Sequence, residues 1–194
     1  LAHDPECIVA LLEEARLAAR VQHANVVATL EVLIERGEPM IVLELTRGVA
    51  WSKVWSKLAR AKHRVDPSVG CALVVGLLSG LQAVHEVVDE AGEPLGLVHR
   101  DVSPQNVIVG ADGIVRLADF GIARSFEHDV ARRSALEGKL AYVAPEAWSG
   151  AELDQRADLY SVGVLLWEAL TGERLFAGAD LQSALARPPT RLPP

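Results

Sequence analysis

"LVHRDVSPQNVIVGADGIVRLADFGIAR", Leu97 to Arg124, decides how the rest of the chain is read. Two short apolar runs, "VIV" and "IVRLA", are joined by "GADG" and predict a β-hairpin. Asp101 and Asn106 lie five apart in an irregular loop directly before the first run, and Asp119 follows the second. The ends of a hairpin meet, so this fold brings the three polar groups together. The side-chain oxygens of Asn106 and Asp119 suit Mg2+, which takes few protein carboxylates and completes its shell with phosphate oxygens and water. Asp101 is then left to accept a proton from an incoming hydroxyl.

Upstream, "ECIVALLEEARLAARVQHAN" repeats apolar residues at helical spacing from Ile8 to Val21, with acids early and bases later, and predicts a helix ending near Asn25. "VVATLEVLIE" and "PMIVLEL" flank the turn-like "RGEP" and predict a hairpin. "WSKVWSKLARAKHR" reads as a short basic amphipathic helix whose charge marks a solvated face. Asp66-Pro67 then opens a helix running to about Val88. The apolar run inside it, Val69 to Val84, is short for a membrane span and contains Ser79 and Gln82, so the reading is a buried core helix. Gly76 and Gly80 within it mark close packing. Downstream, "RADLYSVGVLLWEALTG" predicts a second buried helix closed by Gly172, and "RPPTRLPP" cannot continue any helix. The order implies an α+β chain, a small mixed lobe followed by a mostly helical one.

A net charge of −7 and a pI near 5.4 argue against nucleic acid as a partner, because phosphate backbones need a basic surface. Any phosphate chemistry must rest on a few placed cations and metal ions. Cys7 and Cys71 lie in apolar contexts without metal-ligand spacing and read as reduced core residues in a cytoplasmic domain. No signal peptide or membrane segment is visible in the 194 residues, and the chain opens on Leu1 rather than Met.

"HRDVSPQN", "DFG" at Asp119 to Gly121 and "APE" at Ala144 to Glu146 resemble, in order and spacing, the signature set of the protein kinases. "DLYSVGVLLWEALTG" is similar to that family's central buried helix, and "EEAR…HANVV" to its regulatory helix and the strand that follows. The resemblance implies a two-lobe kinase fold with a partial small lobe and hinge over 1–46 and a truncated, mostly helical large lobe over 47–194. It implies ATP and Mg2+ as cofactors and a protein substrate. Asp101 would be the base, and Asn106 and Asp119 the metal ligands. Glu44, Leu45 and Thr46 would form the adenine-binding hinge, with Ile108 as its apolar floor. Glu14 would be the regulatory-helix glutamate, and Arg100 the cation that meets a phosphorylated activation loop. His99, Phe120 and Gly121 would support the site from beneath, and Asp158 would hold the catalytic-loop backbone. Ser125 and Ser134 are candidate phosphosites in an activation loop spanning Arg124 to Tyr142. The "SPQN" and "AYVAPE" forms point to Ser/Thr rather than Tyr acceptors, and the composition to a bacterial enzyme.

Two departures from the family pattern pair up. Ser103 stands where Ser/Thr kinases usually carry a lysine, and Lys139, in "GKLAYVAPE", stands where they usually carry a threonine that touches it. The expectation is a swap, with the cation supplied by the activation segment and the hydroxyl by the catalytic loop. The chain also has no G-x-G-x-x-G and no lysine ahead of Glu14, and it stops before the later helices in which the family carries the arginine that usually pairs with Glu146 of "APE". Because these deficits fall at the ends while the internal motifs are intact, the expectation is a kinase domain truncated at both ends, from a parent with possible regulatory or sensor domains. The alternative is a pseudokinase-like binding module without catalysis. A small-molecule phosphotransferase is argued against by the "APE" block and the long activation segment.

Overall fold

The computed structural model describes residues 5–35, 38–119, 139–148 and 152–176. Helix α1 (Pro5–Ala18) turns one apolar edge, Ala15 and Ala18, onto Val32 and Ile41 of a hairpin made of β1 (Thr29–Glu35) and β2 (Glu38–Leu43). The helix stops at Ala18, earlier than its sequence pattern implies. Its last turn tightens, with the Arg20 and Val21 N–H groups donating to Leu17 and Ala18. The two strands pair antiparallel from Thr29↔Leu43 to Glu35↔Glu38, with an irregularity between Thr29 and Glu31.

A second sheet has the order β3 (Gly48–Ala50), β4 (Val107–Gly110), β5 (Val115–Leu117), all antiparallel. The hairpin expected from "VIVGADGIVRLA" is present, but β3 is an addition. Three residues led by a glycine carry no strand pattern, and the pairing depends on close approach. A Cβ at Gly48 would sit 2.6 Å from the Val109 carbonyl oxygen.

Helix α2 (Trp51–Arg60) follows at once, its two tryptophans stacked with centroids 6.0 Å apart. Helix α3 (Pro67–His85) starts at Asp66, whose carboxylate accepts from the Ser68 N–H at 2.8 Å. It packs against β5 and against α4 (Gln155–Thr171), which Gly172 closes in the left-handed region at φ 73°. Leu77, Leu81, Val107, Leu117 and Leu165 form the centre of this core.

Although α3 is long and apolar enough to cross a bilayer, Gly70, Val74, Leu77, Gly80, Leu81 and Val84 bury one face of it in the protein. The expectation of a wholly buried helix is corrected. Val69, Val75 and Leu78 on the other face are exposed, and so is Cys71, which is no core residue. The glycine pair is explained differently from helix–helix packing. A Cβ at Gly80 would lie 2.6 Å from the Asn25 carbonyl oxygen, and one at Gly76 would lie 2.7 Å from a Val115 methyl. Asn25 is itself fixed by Leu117, whose N–H donates to its carbonyl at 2.8 Å, and by its own side chain, which donates to the Val115 carbonyl at 2.7 Å. This one residue therefore ties the first unit to β5 and α3.

Candidate active site

The loop from His99 to Asn106 is held from below by one buried carboxylate. Asp158 of α4 is 1% exposed and accepts the His99 and Arg100 N–H groups at 2.9 and 2.8 Å. The ring Nε2 of His85 lies 2.8 Å from the same group. These bonds offset the left-handed backbone of Arg100, φ 64°, a conformation disfavoured outside glycine. His99 is fully buried, and its Nδ1 accepts the Asp101 N–H at 3.3 Å. Burial pushes the His99 pKa down, against the opposing pull of Asp158, Asp101 and Asp119, so the ring sits neutral under the loop.

The loop closes with the Asn106 N–H donating to the Ser103 carbonyl, and its far end meets the hairpin as the Ala118 N–H donates to the Asn106 carbonyl at 2.8 Å. That bond sets Asp119 beside Asn106. Asn106 is buried and donates its amide to Asp101 twice, to the carbonyl at 3.0 Å and to Oδ2 at 2.8 Å. Lys139 Nζ reaches the same Oδ2 at 2.6 Å from the turn preceding Leu140–Tyr142. Among the described residues, no hydrogen bond engages Asp101 Oδ1 or Asn106 Oδ1. Asp119 is exposed, in the left-handed region at φ 54°, and its side chain makes no ion pair or hydrogen bond among the described residues.

The Asn106 amide has its donors committed to Asp101 and its oxygen without a hydrogen bond among the described residues, and Asp119 follows the Ala118 N–H that bonds the Asn106 carbonyl. Oxygen donors of this kind fit Mg2+, which completes its shell with water and phosphate oxygens. Among the described residues no cluster of three His, Cys, Asp or Glu side chains forms a cage.

Glu44, Leu45 and Thr46 lie between β2 of the first sheet and β3 of the second. The Glu44 N–H is committed to Ala28, while the Leu45 and Thr46 N–H groups make no backbone bond among the described residues. Ile108 lies in β4 opposite Ala50.

The remaining expected residues divide. Phe120, Gly121, Ser125 and Ser134 lie outside the described residues, as does the Glu14 side chain, although Glu14 falls within α1. Glu146 is not left without a partner: its charge acts on Arg156 and Tyr160, both of α4. Lys139 meets Asp101 as the swap requires, but no hydrogen bond joins it to Ser103, whose buried hydroxyl has no partner among the described residues. Two contacts were not expected from the sequence. His85 and Asp158 meet across 73 residues, and Tyr142 of "AYVAPE" donates to the buried Glu168 at 2.8 Å.

An aspartate and an asparagine clasped together in a loop that a buried carboxylate holds from below is the geometry on which the family comparison bears. The description "Protein kinase domain" matches residues 3–188, and the chain belongs to that family. Tyrosine-protein kinase MasK of Myxococcus xanthus is 37% identical over 203 residues, which covers 100% of this chain and 31% of that protein. Serine/threonine-protein kinases PknL and PknB of Mycobacterium tuberculosis are 34% and 32% identical, covering 91% and 92% of this chain. The chain spans 42% of PknL and 28% of PknB, less than half of each relative it matches.

Proposed function

We propose that this domain transfers the γ-phosphoryl group of ATP to serine or threonine hydroxyls of proteins. Asp101 is the base, Asn106 and Asp119 are the Mg2+ ligands, and the hinge from Glu44 to Thr46 bonds adenine above Ile108. One observation carries the reading. Asp101 is clamped through Oδ2 by Asn106 and Lys139, and no hydrogen bond among the described residues engages its Oδ1. An aspartate held in that way accepts a proton in one fixed direction.

The acceptor oxygen forms its bond to the γ-phosphorus as the bond to the β–γ bridging oxygen breaks. ADP leaves with that electron pair, and the hydroxyl proton passes to Asp101. Mg2+, where bound, neutralises charge on the phosphates. The division into a small-lobe unit over 1–46 and a large-lobe unit over 47–194 follows the hinge, and ATP as donor puts the reaction in the cytoplasm. Glu14, Arg100 and Ser134 retain their regulatory assignments within this proposal.

The test is phosphate transfer from labelled ATP by the full-length protein, followed by phosphoamino-acid analysis. Asp101→Asn is expected to lower kcat by about 10²–10⁴-fold. Nucleotide binding without transfer by the full-length protein would overturn the reading in favour of a non-catalytic binding module. A second reading, transfer to tyrosine, is favoured by one observation: the 37% identical relative carries the name tyrosine-protein kinase. Phosphotyrosine in the same analysis would establish it.

A further inference from the structure

Lys139 is a poor candidate for a merely structural ion pair. Its side chain remains 25% exposed and Asp101's 16%, so the pair stands at the site surface rather than in the core. An ammonium has three donors. One is spent on Asp101 Oδ2, and the ammonium makes no other hydrogen bond among the described residues. Two donors are therefore left on a nitrogen that touches the carboxylate the proposed reaction uses. Position 103, two residues beyond Asp101, is filled by a small side chain that is 1% exposed, and its hydroxyl lacks a partner among the described residues. A buried polar atom in that state calls for an explanation.

Resting on the kinase reading above, we propose that Lys139 is a catalytic residue, the cation that holds the transferring phosphoryl group between donor and acceptor. It is supplied across a separation of 38 residues from Asp101, and Ser103 marks the vacated position. Lys139 stays protonated throughout the step; it donates hydrogen bonds to phosphoryl oxygens while the hydroxyl proton goes to Asp101. Aligned with charge that builds up only during transfer, it acts on kcat more than on substrate binding.

The test uses the full-length protein and four variants: Lys139→Met, which keeps the stem and removes the charge, Lys139→Thr, Ser103→Lys, and the double variant Ser103→Lys/Lys139→Thr. Lys139→Met and Lys139→Thr are each expected to lower kcat by about 10- to 100-fold with the KM for ATP within about threefold. The double variant, which relocates the ammonium to position 103, is expected to recover about tenfold over Lys139→Thr. Urea unfolding of the ligand-free wild type, Ser103→Lys, Lys139→Thr and the double variant gives a readout independent of activity. There the two positions are expected to couple, because each variant changes which cation faces Asp101.

Wild-type kcat in Lys139→Met would overturn the proposal. So would a double variant no better than Lys139→Thr in transfer and additive in unfolding. If the wild-type protein transfers no phosphate at all, the kinase reading fails. In that case the unfolding cycle still reports whether positions 103 and 139 share Asp101.

Discussion

Glu168 shows how a single buried group sets a pH dependence that no motif announces. Its carboxylate is 2% exposed and accepts the Tyr142 hydroxyl at 2.8 Å. Burial raises its pKa, only partly opposed by that bond and by Arg174, and the same surroundings push the Tyr142 hydroxyl far up. A carboxyl whose pKa is higher folded than unfolded contributes stability that is fully present below the ordinary carboxylate range and is lost as pH rises through the folded value. His99, pushed down by burial, slopes the other way: its contribution is present above the ordinary histidine range and lost as pH falls. Glu168→Gln keeps an acceptor for Tyr142 and removes only the first slope. The variant is therefore expected to gain on wild type as pH rises from about 4 to 8, read as the difference between urea midpoints. Parallel midpoint curves would show that Glu168 does not titrate across that range.

At the scale of elements, the glycines of α3 make a sharp prediction. Replacing a mid-helix glycine with alanine gains about 1 kcal/mol from backbone entropy alone. At Gly80 the new Cβ would lie 2.6 Å from a carbonyl oxygen held by Leu117, and that oxygen cannot step aside without breaking a bond to β5. Overpacking of this kind costs about 1–3 kcal/mol, so Gly80→Ala is expected to destabilise the domain by up to about 2 kcal/mol net. Gly163 of α4 is the control, since a Cβ there meets nothing within 4 Å and Gly163→Ala is expected to stabilise. Chemical denaturation of both variants checks the pair.

The same comparison shows what the chain declares and what it conceals. The hairpins and the α2, α3 and α4 segments are legible because their periodicities and caps are local. So is the closing of the hairpin's ends, where the Ala118 N–H bonds the Asn106 carbonyl, because a hairpin must bring its ends together. The Lys139 contact is legible only as two matched departures from a family pattern. Strand β3, the exposure of Cys71 and the His85–Asp158 contact are not legible, because each depends on which surface a distant element covers.

At the scale of the whole molecule, the two sheets differ in protection. The β3–β4–β5 sheet lies against α3, whereas the β1–β2 hairpin has α1 against Val32 and Ile41 and leaves Leu30, Ile34, Met40 and Val42 between 37% and 65% exposed. Leu45, just beyond β2, is 87% exposed. A two-stranded ribbon with apolar side chains in water is marginal alone and offers its edge to other chains. The 194-residue polypeptide by itself is expected to self-associate at micromolar concentration and to bind an apolar dye; sedimentation of a clean monomer without dye binding would refute this.

The bond between Lys139 and Asp101 also has a consequence for descent. A lysine at 103 beside the one at 139 would crowd two ammonium groups onto one carboxylate, and a threonine at 139 beside Ser103 would leave that carboxylate without either. Each single exchange passes through a poorer protein. Across a lineage the two codons should therefore be inherited as a unit, lysine at one position predicting its absence at the other.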